Sequence, residues 1–108
     1  MPTIDDFVAL AVRTGTVLRA EPNATSRHPA LKLWIDFGEL GELQSSAKIT
    51  DRYEASDLIG RQVVAVTGME PMRVGGFRSD VLVLGATTDD GVVLLTTDAP
   101  VPPGTMVS

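Results

Sequence analysis

Few residues in this chain are able to do covalent chemistry, and their spacing does not suit catalysis. Ser45-Ser46 lacks the Gly-x-Ser-x-Gly frame of a nucleophile elbow, and the single histidine, His28, sits beside Pro29 with no acid assigned to orient it. Asp89-Asp90-Gly91 lacks the alternating oxygen ligands and closing Glu of a calcium loop, so it reads as a turn. Gly75-Gly76 is not followed by the further glycine and Lys-Ser/Thr of a phosphate loop. With no cysteine, thiol catalysis, disulfides and Cys-based zinc sites are excluded. The expectation is a chain that is not an enzyme, with no catalytic residue, no metal and no cofactor. The remaining chemistry is that of binding: Arg27, His28, Lys32, Trp34, Lys48, Arg73 and Arg78 donate hydrogen bonds, carry charge or stack.

These residues need elements to bring them together. Leu31, Leu33, Ile35 and Phe37 alternate with Lys32, Trp34 and Asp36, the period-two pattern of a strand with one buried face. After a turn at Gly38–Gly41 a second strand runs through Leu43 to Ile49, and Gln44 or Ser45, with Ser46 and Lys48, are candidate neighbours of the outward set. Two readings of Trp34 stand. It is either part of a contact surface or the cover of a second hydrophobic layer.

Elsewhere, Thr3 with Asp5, Asp6, Phe7 and Leu10 predicts a short capped helical turn. Val12 to Ala20 alternates again, with a bulge or bend expected at Gly15. Residues 21–30 form a loop, and a short helix capped by Thr50 or Asp51 ends at Gly60. Strands follow at Gln62–Thr67, around a hairpin turning at Gly75-Gly76, at Val81–Ala86 and at Val92–Thr97, before a proline-rich tail. Three strands, a helix and two more strands is the order of an all-β, five-stranded Greek-key barrel of the OB type, here with an N-terminal helical turn and a C-terminal strand extension. Such barrels bind on strands two and three and on the loops joining strands one to two and four to five. Those places hold the Lys32/Trp34 face, the Arg27/His28 loop and the Arg73/Arg78 hairpin. Against this stands the plain fact that nine Lys and Arg must lie somewhere on a small surface.

One domain over residues 1–108 is expected, with a hydrophobic fraction of 44% that excludes disorder. A net charge of −5 opposes indiscriminate binding to nucleic acid or anionic membrane while leaving room for a local basic patch. No run approaches the ~20 apolar residues of a membrane helix and MPTIDDF lacks a signal pattern, so a cytoplasmic chain without membrane insertion is expected. The runs VVAV, VLVLGA and VVLL are apolar on both faces and need a second cover, either the tail or a partner chain. VPP and VS offer little cover, so a symmetric homodimer is expected, with Val81, Val83, Val93, Leu94 and Leu95 at or near its interface.

Several separated motifs carry a family resemblance. Ala30–Gly38 (ALKLWIDFG), Gln44–Thr50 (QSSAKIT), Gly76–Gly85 (GFRSDVLVLG) and Val93–Thr105 (VLLTTDAPVPPGT), with Val12–Val17 (VRTGTV), resemble the CsaA family of export-related chaperones, within the tRNA-binding OB-domain superfamily. The resemblance implies a dimeric OB fold that binds unfolded or precursor proteins and assists their export, with a link to the Sec export motor. The alternative it implies is a tRNA-binding module. The chain keeps Ser79 of the Ser-x-Gly-Met motif of the tRNA-binding relatives but has Val81 and Leu82 for the Gly-Met pair. Arg27, His28, Lys32, Trp34, Lys48, Arg73, Arg78 and Ser79 form the expected peptide- or RNA-binding face.

Overall fold

A computed structural model describes residues 1–24 and 28–108. Its organising element is β1 (Val12–Pro22), which is long enough to serve two neighbours. Its first half, Val12 to Thr16, pairs antiparallel with β4 (Gln62–Val66), and its second half pairs with β2 (Leu31–Asp36). β2 pairs in turn with β3 (Glu42–Ala47), and β4 with β7 (Leu82–Val83), giving the sheet order β3-β2-β1-β4-β7. The ends of this sheet curl toward each other. The fully buried Ser45 donates its Oγ hydrogen to the Val81 carbonyl at 3.1 Å, and the Asp80 amide donates to the Gln44 carbonyl at 2.8 Å. The result is a nearly closed OB-type barrel, with α2 (Ala55–Leu58) between β3 and β4 as the order of elements requires.

The alternation in β2 sets the core. Leu31, Leu33, Ile35 and Phe37 all point inward and pack with Val17, Ile49, Leu58, Val63 and Val81. Gly15 belongs to this interior and is not a bulge. A methyl group there would lie 2.5 Å from Ile35 Cγ2 and 2.7 Å from Phe37 Cε1, so close packing requires glycine. The bulge lies further along, where the register shifts between Val17 and Arg19 and leaves Leu18 outside the ladder, half-exposed.

Three other expectations are corrected. α2 begins after Glu54, whose amide donates to Asp57 Oδ2, and not at Thr50 or Asp51. The strand expected over Val81–Ala86 is broken: β7 ends at Val83, and β8 (Gly85–Thr88) leaves to form a separate hairpin with β9 (Gly91–Leu94). The second apolar face of β4 is covered by the chain itself. Val64 and Val66 pack with Val12, Leu84 and Val107, because the tail runs beside β1 and exchanges backbone hydrogen bonds with Thr14 and Val12.

α1 (Ile4–Leu10) carries a capping box in which Thr3 and Asp6 bond each other's backbone amides, yet none of its residues is buried. Among the described residues no helix is long and apolar enough to cross a membrane.

Candidate binding surface

The outward residues of β2 face the same side as the second half of β1, because the bulge resets the parity of that strand after Val17. Arg19 therefore stands opposite Trp34, and Glu21 opposite Lys32. The Arg19 guanidinium lies 4.4 Å from the centre of the Trp34 ring and is tethered by Glu21 Oε2 at 2.8 Å. Both members of that ion pair are exposed, so it contributes only about 0–1 kcal/mol, and an exposed cation–π contact adds about 0.5–1 kcal/mol.

The second wall of the surface is the hairpin of β5 (Met72–Val74) and β6 (Phe77–Ser79), which turns at Gly75-Gly76 as the sequence predicts. Both glycines have positive φ, +56° and +77°. Phe77 projects from the hairpin to meet Trp34 edge-on at 5.5 Å, and the Lys32 ammonium sits 5.3 Å from the Phe77 ring centre. Two aromatic rings, each carrying one cation, thus form a continuous patch.

The hairpin is fastened at several points. Ser79 Oγ accepts the Ser46 amide hydrogen and donates to the Val81 carbonyl, each at 3.1 Å. Gln44 Nε2 donates to the Arg78 carbonyl at 2.7 Å, and buried Asn23 donates through Nδ2 to the Val74 carbonyl at 3.2 Å, tying the loop after β1 to the hairpin. Arg73 and Arg78 face each other across the hairpin, and Arg78 pairs with Asp80 at 2.8 Å. Arg73 donates to the Gly76 carbonyl.

Behind the hairpin lies a cleft of about 160 Å³ lined chiefly by Met69, Met72, Val74, Val81 and Leu82, with Glu70 among its remaining residues. Ser46 Oγ is buried on its wall without a hydrogen-bond partner. Met69, Met72 and Leu82 are each 40% exposed or more, so the cleft opens to solvent through flexible side chains.

The structure brings Lys32 and Trp34 together and sets Arg73, Arg78 and Ser79 on the adjoining hairpin. His28 is exposed in the loop after β1, and Arg27 lies outside the described residues. Lys48 stands beyond the end of β3 beside Leu82, Val83 and Val92, lining a different depression. Of the residues assigned to a dimer interface, Val81 is committed to the chain's own core and Leu94 packs against it. Val83 and Val93 are half-buried, and Leu95 is exposed. Sequence reasoning missed Arg19, Glu21, Phe77 and Asn23 as contributors. The alternation of Gly76-Phe77-Arg78-Ser79 after a tight turn was the available signal for Phe77. Among the described residues no group of three or more His, Asp or Glu gathers to hold a metal ion.

Residues 12–106 match the family described as "Putative tRNA binding domain". The methionine–tRNA ligase of Methanothrix thermoacetophila is 40% identical over 100 residues, covering 93% of this chain and 14% of the ligase. The chain therefore spans about one-seventh of that relative's length. Among solved structures, the chaperone CsaA from Bacillus anthracis superposes with a TM-score of 0.92 at 51% identity, covering 100% of this chain and 99% of that one. The CsaA chaperone protein from Picrophilus torridus gives 0.93 at 39% identity, with full coverage of both chains.

Proposed function

The chain belongs to the putative tRNA-binding domain family, and on that premise we propose that it works as a chaperone of the CsaA kind, holding unfolded or precursor proteins for export. The observation that carries this reading is the open cleft lined by Met69, Met72, Val74, Val81 and Leu82. Methionine side chains are unbranched and polarisable, so a methionine-lined surface repacks around apolar residues of differing shape, as a chaperone with many clients requires. The 51% identity with the Bacillus anthracis chaperone supports the same reading. Delivery of clients to the Sec export motor, in the cytoplasm, completes it.

Binding of a labelled unfolded precursor tests the proposal. It should depend weakly on salt and show a negative heat-capacity change, because apolar burial drives it. Met69→Ser with Met72→Ser should weaken it about tenfold or more, while Arg73→Ala with Arg78→Ala should alter it little. An affinity indifferent to the methionine pair would refute the cleft as the client site.

A second reading, contact with tRNA, is favoured by the aromatic and basic patch formed by Arg19, Lys32, Trp34 and Phe77. Aromatic side chains interleaved with cations are how OB folds hold unpaired bases and backbone phosphates. In that case affinity falls steeply with salt, and the arginines of the hairpin matter as much as Trp34.

A further inference from the structure

We propose that Trp34 is a stacking site for one unpaired nucleobase of RNA, and that Arg19 is its removable cover, trading the indole ring for a backbone phosphate when the base arrives. The inference rests on the second reading above, RNA contact by this face, and names the exchange that contact would involve.

A guanidinium 4.4 Å from the ring centre occupies the place where the flat face of a base would stack. The cover is lightly held. Arg19 has 64% of its side-chain surface exposed, and its carboxylate partner, Glu21, is 41% exposed. The Phe77 ring stands nearly perpendicular to Trp34, at 82°, and braces the indole where Arg19 does not. Displacing Arg19 therefore opens a braced aromatic plane and frees a cation beside it. Glu21, which stands opposite Lys32 in the ladder, is the carboxylate a phosphate would replace. Lys32, held over Phe77 at 5.3 Å, supplies a second cation on the same side. An aromatic plane flanked by two cations matches the alternation of base and phosphate along a single strand. An apolar peptide offers no such alternation, which is why RNA is the occupant favoured here.

Trp34 is the chain's only tryptophan, so its emission reports directly on this site. The full chain would be titrated with a six-nucleotide oligouridylate, with inorganic tripolyphosphate as an anion lacking bases, and with labelled tRNA followed by anisotropy. The oligouridylate should quench Trp34 emission and tripolyphosphate should not. Arg19→Ala should preserve the quenching but lower the log–log salt slope by roughly 0.7, the share of one single-strand phosphate. Glu21→Gln should tighten binding by up to about fivefold, because it releases the competing carboxylate. Quenching by tripolyphosphate equal to that by the oligonucleotide would overturn the exchange. So would an Arg19→Ala protein that loses quenching with its salt slope unchanged. Anisotropy that reports tRNA binding while Trp34 emission stays fixed overturns the exchange alone and leaves RNA contact standing. No binding of either RNA removes both.

Discussion

Glycine at position 15 shows how much one missing methyl group decides. The nearest neighbours of that methyl, Ile35 and Phe37, have no exposed surface and cannot swing away. Overpacking of this kind costs about 1–3 kcal/mol. Gly15→Ala should therefore lower the melting temperature by at least about 4 °C at fixed protein concentration, taking about 4–8 °C per kcal/mol for a domain near this size. Its effect should reach the barrel as a whole and spare no strand. A Gly15→Ala protein that melts with the parent would mean that β1 and β2 can separate at this point without loss. At the same scale, Trp34 reconciles the two roles open to it from sequence. It faces outward from β2, yet it is half-buried between Arg19 and Phe77.

At the scale of elements, the β5–β6 hairpin is the second wall of the surface, and Ser79 is one of its fastenings to β3. Ser79→Ala leaves the Ser46 amide without its acceptor, a loss of about 1–3 kcal/mol if water does not reach it. Amide exchange should accelerate across residues 72–79 while Leu33 and Ile35 stay protected, since the barrel's own ladder is untouched. Equal acceleration throughout would show that the hairpin and barrel open as one unit. Elements with local causes were legible in the sequence. β2 declares itself by alternation, because one face is core and the other is not, and the hairpin by two glycines that accept positive φ. The division of the fifth strand was not legible, because VLVLGA is apolar without interruption while Val83 pairs with β4 and Gly85 with β9. Arg19 was hidden for a related reason. A bulge leaves no signature of its own at Val17–Arg19, and a shift of one residue reverses which side chains face outward. Asn23 reads in sequence as loop chemistry, and only its contact with Val74 reveals it as a brace.

At the scale of the whole molecule, the tail and the N-terminal helix have opposite standing. The tail is part of the fold, since it pairs with β1 and covers Val64 and Val66. No residue of the helix is fully buried. Ile4 is 79% exposed, Val8 59% and Met106 49%, and with Phe7, Val12 and Val107 they line an apolar depression of about 290 Å³. The chain's own tail covers the apolar second face of β4, whereas this depression lies open. A homodimer closed through the helix face is accordingly the form we propose, in place of one centred on Val81 and Leu94. Substituting Ile4→Asp together with Val8→Asp should place two unpaired carboxylates in that contact, each costing several kcal/mol if buried. Light scattering should then give a mass near 11.5 kDa, and the melting temperature should cease to depend on protein concentration. Because both positions are exposed in the single chain, the barrel should stay folded and Trp34 emission should remain that of the parent. A double variant that still runs as a dimer would move the interface elsewhere, and exposed Leu95, beyond the end of β9, would be the next residue to substitute.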